Sequence, residues 1–420
     1  MESTRKEVLA GLSTFFTLSY LFLLYPQILS EGGVDFGSAL SATALISIAA
    51  TLLLALLGNF PAVLAPGLSV GPYLVYSIIL KQGASWQTAL GIVFWAGAAI
   101  FLLTLFRIRQ QILLHLPSSI KTSAIGGIGL FLICVGLKNL GILTPQSFLF
   151  AIGPVFTPEN GVAFFGLLLL FFLYKMNLSG CFLLTILFCW FVGLLTGMAE
   201  WKGFAALPPS LSPTLFQLDL IAPLSTDWLG AILTVLLICL FDTTAALTVL
   251  SRLSHKTNEQ GRIEHMNRIL LTDSLGNMAA SLLGTGTLTF TLESSSGIKA
   301  GGRSGLTAAT AAFCTLICLF LFPLISSIPL FATAPALIAI GVFMALEAKG
   351  IAWKDPTEAI PAILTMLAIP LAFNIYLGFV LGFISFALLK ALFGKAKEVH
   401  PICWALSLIF ALHLGWTYLF

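Results

Sequence analysis

GTGTLTFTLESSSGIKAGGRSG, residues 284–305, decides how this chain is built. Thr285, Thr287, Thr289 and Thr291 alternate with glycine or apolar residues, and that period of two, on β-branched residues, predicts a short extended strand rather than a helix. The ESSS that follows predicts the start of a half-helix, with Glu293 at its opening and Ser294 and Ser295 in ordinary helix-start positions. A second poor helix is FPAVLAPGLSVGPYLVY (60–76), interrupted by Pro61, Pro66, Gly67, Gly71 and Pro72. Each is the third segment of its half of the chain. Inside a bilayer, free backbone groups are tolerated only where they line a cavity, so two broken segments point to a binding site at the midplane. Their half-helix N-termini would turn N–H donors and a positive dipole end inward, which suits a polar or anionic ligand.

The rest of the sequence supplies the bilayer. The chain has 420 residues, 58% hydrophobic and 9% charged, with a mean hydropathy of +1.03. This predicts an all-α polytopic membrane protein with no soluble domain of useful size. Breaks at Gly, Pro and charged clusters give about fourteen transmembrane segments, at 8–29, 38–58, 62–80, 86–106, 121–137, 161–174, 178–198, 228–250, 269–284, 285–300, 306–326, 332–348, 357–372 and 375–394. With the N-terminus in the cytoplasm, seventeen of twenty Lys and Arg fall on the inner side, among them Arg107, Arg109, Arg252 and Arg262, and only Lys81, Lys138 and Lys202 fall outside. The apolar 395–420 is left over as an interfacial helix or an extra span. The seven cysteines lie mostly inside apolar runs without metal or disulfide spacing, and a net charge of +3 is explained by membrane topology rather than by nucleic acid.

LPSSIKTSAIGGIGLF (116–131) aligns without gaps to IPLFATAPALIAIGVF (328–343) at an offset of 212 residues, with Pro117/Pro329, Ala124/Ala336, Ile128/Ile340, Gly129/Gly341 and Phe131/Phe343 identical. Seven segments separate the copies, and an odd number inverts one against the other. This is the pattern of a secondary transporter made of two inverted seven-span repeats. Gly126, Gly127 and Gly129 predict close helix contact.

Two acids stand out besides Glu293. Asp242 falls near the middle of AILTVLLICLFDTTAALTVLS (231–251), where an ionised aspartate costs roughly 2.5–3.5 kcal/mol on insertion scales. It either lies on an ion or substrate path or bonds to Thr243, Thr244 or another helix. Asp273, a few residues from the basic inner loop, reads as structural. Asp242 and Glu293 together make a proton-coupled binding pair, since protonation and occupancy of such carboxylates are linked. GGRSG (301–305) lacks the GK[ST] ending of a phosphate loop. None of the five histidines, at 115, 255, 265, 400 and 413, falls at the middle of spans one to fourteen, which leaves a histidine relay or haem ligation without support; no metal or cofactor is expected.

GLSTFFTLSYLFLLYPQIL in span one, NFPAVLAPG in span three, GIGLFLICVGLKNLGI in span five, LFDTT in span eight, GTGTLTFTLESSSGIKAGGRSGLTA in span ten, IPLFATAPALIAIGVFM in span twelve and TEAIPAILTMLAIPLAFNI in span thirteen cover most of the chain. They resemble the nucleobase:cation symporter family (nucleobase/ascorbate transporters), specifically its AzgA-like purine permease branch. The resemblance implies a core domain (1–106 and 228–326) and a gate domain (107–227 and 327–394), with a base held between the extended pieces by Asp242 and Glu293. Backbone groups at Leu68 and Leu292, with Ser69, Gly71, Ser294, Thr17 and Tyr20, complete the expected substrate-contacting set. It also implies import of a purine nucleobase by proton symport, residence in the inner or plasma membrane, and a homodimer joined through the gate domains. Departures from the branch are Gly71 for its usual Asn, Tyr25 for the Asn before Pro26, and Ala245-Ala246 for Gly-Thr, and they predict an altered substrate range. A carrier of small anions, or of uracil or xanthine, on the same architecture is the rival reading; an enzyme is disfavoured because no nucleophile–base set or metal constellation is present, and a channel by the broken-helix repeat.

Overall fold

The computed structural model describes residues 2–109, 116–145, 150–257 and 263–419; His115 and Arg262 lie outside the described residues. Fourteen spans are present among them. Span one comprises Glu2–Leu18 and Leu21–Glu31, broken by a turn at Ser19 and Tyr20, and span two is Phe36–Gly58. Span three is strand β1 (Leu64–Pro66), followed by a helical turn at Val70–Pro72 that widens into a π-helix over Tyr73–Ile79. Trp86–Leu105 and Ser118–Asn139 form spans four and five. A hairpin of β2 (Leu143–Pro145) and β3 (Phe150–Ile152) leads to spans six (Pro158–Lys175) and seven (Cys181–Leu195). The second half repeats the order: Thr226–Leu253, Met266–Leu283, β4 (Leu288–Phe290) with Ser294–Lys299, Gly305–Phe320, Leu330–Ala345, Pro356–Ala372 and Ile375–Leu392 are spans eight to fourteen. Eight of the helices are long and apolar enough to cross a membrane.

Predicted and observed ends differ by a few residues, with local causes. Span six begins early, at Pro158, because Thr157 accepts a capping bond from Asn160 N (3.2 Å) and proline suits the first turn. The C-terminal stretch is helical over Pro401–Leu419 and packs against span fourteen, where His413 Nδ1 and Tyr376 Oη lie 2.6 Å apart.

Symmetry is written into two contacts. β1 and β4 pair antiparallel with Leu64 opposite Phe290, Ala65 opposite Thr289 and Pro66 opposite Leu288, so the broken segments of the two halves meet in one short ladder. Spans five and twelve cross at repeat-equivalent glycines: a Cβ on Gly129 would stand 2.5 Å from Gly341 O, and one on Gly341 would stand 2.5 Å from Gly129 O. Without side chains the two backbones touch, which is how small residues hold helices together where lipid gives no hydrophobic drive. Spans five, twelve, thirteen and fourteen pack on one another, while spans one, two, four, nine and eleven form a second group around the ladder.

Candidate functional site

Side chains and backbone from neighbouring segments take up edge N–H groups of the ladder, which lets two short strands stand inside the membrane. Gly67 N donates to Thr287 O (3.0 Å), Leu288 N to Asn277 Oδ1 (2.9 Å), Leu64 N to Thr51 Oγ1 (3.0 Å) and Val63 N to Ser294 Oγ (3.0 Å). Unpaired, each would cost several kcal/mol in hydrocarbon.

Glu293 stands at the N-cap of the Ser294–Lys299 half-helix, with φ −56° and ψ −28°, and its side chain makes no capping bond. Its carboxylate instead accepts the Tyr20 hydroxyl at 2.5 Å. Tyr20 comes from the break in span one, and its ring stacks on Phe182 of span seven (centroids 4.9 Å, 24°), so one side chain touches both span seven and Glu293. A carboxylate held at one oxygen by a phenol is oriented while still accepting from a ligand N–H.

Asp242 is half-buried on span eight and faces the Ser69 hydroxyl at the start of the span-three half-helix. The bonds that would make it merely structural go elsewhere: Thr243 Oγ1 donates to Asp273 Oδ2 (3.2 Å) and Thr244 Oγ1 to Leu240 O (2.6 Å). Span eight packs against both β4 and the half-helix that Glu293 opens, so the two acids flank one ladder.

The remaining candidates divide. Leu292 is 50% exposed at the strand end, and Leu68 and Ser69 are buried beside β1. Thr17 is half-buried, donates to Ser13 O (2.8 Å) and lies 2.9 Å from Ser296 Oγ, tying span one to the half-helix. Ser294 is wholly buried, and its hydroxyl is taken by Val63 N and by Thr291 Oγ1 (3.0 Å), a strand fastening. Gly71 is buried against the ring of Tyr25. Among the described residues no three His, Cys, Asp or Glu are grouped as metal ligands.

Two features escaped the sequence reading. Arg109, counted there as an inner-loop charge, is 0% exposed and bonds Asp273 Oδ2 at 2.7 Å, with Asp273 also 0% exposed. At the end of the molecule where spans one, three and five finish, Glu31 pairs with Lys138 (3.0 Å) and accepts Tyr76 Oη (2.8 Å), with Lys138 over the Tyr76 ring at 4.5 Å. Nearby, Gln27 Nε2 donates to Ile328 O (2.7 Å) and Ser77 Oγ to Phe373 O (2.7 Å). All of these bonds join one helix group to the other, apart from Tyr76 to Glu31. Only isolated charges such as Lys138 marked them in the sequence.

The Permease family Xan_ur_permease matches residues 5–381. The adenine permease AdeP of Escherichia coli (strain K12) is 31% identical over 414 residues, covering 98% of this chain and 93% of that protein. The guanine/hypoxanthine permease PbuO of Bacillus subtilis (strain 168) is 33% identical over 421 residues, covering 98% and 97%. The transmembrane domain of a cyanobacterium bicarbonate transporter, BicA, superposes with a TM-score of 0.67 at 16% identity over 90% of this chain and 97% of that one; the shared feature is the inverted-repeat fold.

Proposed function

The chain belongs to the Xan_ur_permease family of permeases, and on that premise we propose that it imports a purine nucleobase, such as adenine, guanine or hypoxanthine, by proton symport. The observation that carries this reading is Glu293, at the crossing of the two repeats, held by Tyr20 and presenting its carboxylate at the end of β4. Full-length similarity to purine permeases supports the same substrate class. A purine offers ring N–H and exocyclic amine donors, which Glu293 and Asp242 accept, while a carboxyl that gains a proton both neutralises its charge and changes from acceptor to donor. Proton and base occupancy are then thermodynamically linked. Two carboxylates beside the ladder disfavour a small anion as cargo.

In this reading the core domain, 1–106 and 228–326, carries the base past the gate domain, 107–227 and 327–394. The protein sits in the inner or plasma membrane with its N-terminus in the cytoplasm, and gate domains join in a homodimer. The contacts through Glu31, Gln27 and Ser77 then close the outer end.

Uptake of radiolabelled adenine, guanine, hypoxanthine and uracil, with and without a protonophore and in competition with sulfate, tests the function. Concentrative purine uptake that the protonophore collapses is expected; sulfate competition with no base uptake overturns the proposal. A second expectation concerns the outer contact. Lys138→Gln removes a half-exposed ion pair of about 0.2–1 kcal/mol and should raise outside labelling of a cysteine placed at Leu292 about two- to fivefold. The reversed pair Glu31→Lys/Lys138→Glu should return it to the native level, and unchanged labelling in Lys138→Gln rejects the closure.

A further inference from the structure

We propose that Tyr25 is a specificity-determining residue of the base site, an inference that rests on the nucleobase function above. Tyr25 lies in the second piece of span one, is 0% exposed, and is wedged between the two broken segments. A Cβ at Gly71 would stand 2.5 Å from its Cε2 and 3.1 Å from its Cζ, and a Cβ at Gly286 would stand 2.0 Å from its hydroxyl oxygen. Non-bonded carbon atoms rest near 3.5–4.0 Å, so neither position accepts a side chain while Tyr25 is in place. The space into which a residue at 71 would project is filled by a ring arriving from span one. Gly71 sits two residues after Ser69, whose hydroxyl faces Asp242, so the wedge also fixes the turn that presents Ser69.

The hydroxyl carries the second half of the argument. Four threonines lie along one face of β4 and its flanks. The outer two are satisfied, Thr285 Oγ1 with Thr43 Oγ1 (2.8 Å) and Thr291 Oγ1 with Ser294 Oγ (3.0 Å). The inner two, Thr287 and Thr289, and Tyr25 itself have buried hydroxyl oxygens that meet no partner in good hydrogen-bond geometry among the described residues, with the Tyr25 hydroxyl lying beside Thr287. Cys239 of span eight, one turn from Asp242, lies beside Thr287. An unmet buried hydroxyl costs about 1–3 kcal/mol, so a ring needed only for packing would be better as phenylalanine. Ionised Glu293 and Asp242 can only accept hydrogen bonds, whereas purines also present unprotonated ring nitrogens and, in guanine and hypoxanthine, a carbonyl oxygen. Tyr25 supplies the missing donor. Its O–H binds an acceptor atom of the base, with Thr287 and Thr289 beside it, and its ring limits the depth of the pocket at position 71.

Three variants, matched for membrane amount and read in the uptake panel, test this. Tyr25→Phe keeps the ring and should raise KM for the preferred base about tenfold with maximal rate within twofold of native. Gly71→Asn alone should lose uptake through the clash. Tyr25→Asn/Gly71→Asn shortens the side chain at 25 and so opens room for one at 71, and should restore uptake with a changed ranking of bases. Native kinetics in Tyr25→Phe together with an unchanged ranking in the double variant overturn the inference alone. If Gly71→Asn transports normally, the wedge is wrong. A native protein that takes up no base overturns the functional proposal and this inference together. Where the variants fold poorly, base-induced thermal shifts of detergent-solubilised protein read the same affinities, and a shift equal in native and Tyr25→Phe counts against the proposal.

Discussion

Glu293→Gln should lower concentrative base uptake roughly 100-fold while leaving the protein folded in the membrane. A hydrogen bond to a charged group contributes about 1.5–3 kcal/mol, and 100-fold corresponds to about 2.7 kcal/mol. Gln matches Glu in shape, and its carbonyl can still accept the Tyr20 hydroxyl that Glu293 Oε1 accepts at 2.5 Å. The fold should therefore survive, because the strand fastening runs through Ser294 and Thr291 rather than through Glu293. What Gln cannot do is exchange a proton, and it places an amide donor where the carboxylate accepts. Tyr20→Phe, which frees the carboxylate from its orienting phenol, should raise KM about tenfold with a smaller change in maximal rate. Accumulation by Glu293→Gln at half the native level or more, measured at matched expression, would remove Glu293 from the coupling mechanism.

The second large effect is on stability. Arg109→Met leaves Asp273 without its guanidinium in a site where both side chains are 0% exposed, and breaking a buried pair from one side costs about 3–5 kcal/mol. The detergent-solubilised variant should melt far below the native protein or fail to accumulate. Arg109→Met/Asp273→Asn removes the stranded charge and retains a group that can bond Thr243 Oγ1, now 3.2 Å from Asp273 Oδ2. It should recover at least half of the lost thermal midpoint. Asp273 also accepts the hydroxyl of Thr243, the residue next to Asp242 on span eight. A native midpoint in Arg109→Met would show that the pair contributes nothing to the fold.

How much was legible follows from how each feature is encoded. The strand in span ten could be read because Thr285, Thr287, Thr289 and Thr291 carry a period of two against a helical background, and β4 forms at Leu288–Phe290 within it. A close helix contact at Gly129 could be read from its run of glycines, whereas its partner, the repeat-equivalent Gly341 of span twelve, came from the packing. Arg109 could not. Its sequence neighbours Arg107 and the inner loop give it the signature of a topology charge, and only span nine, far along the chain, supplies Asp273 as its partner. Tyr25 and Gly71 likewise read as two unrelated departures until the ring was seen to occupy the space of the missing side chain.

By itself the sequence determined that the chain crosses the membrane many times, that its halves repeat in inverted order, and that the third and tenth segments break; the break in span one at Ser19 and Tyr20 it did not mark. Lipid offers backbone groups no partner, so apolar length and helix-breaking residues leave few alternatives. Tertiary structure alone decided which polar side chains face the ladder. Successive residues on a helix point about 100° apart, and in spans apolar all round no amphipathic stripe marks an inner face. Asp242 and Thr243 are neighbours in sequence, yet one faces Ser69 and the other Asp273, because packing against partners from both halves sets the rotation of span eight.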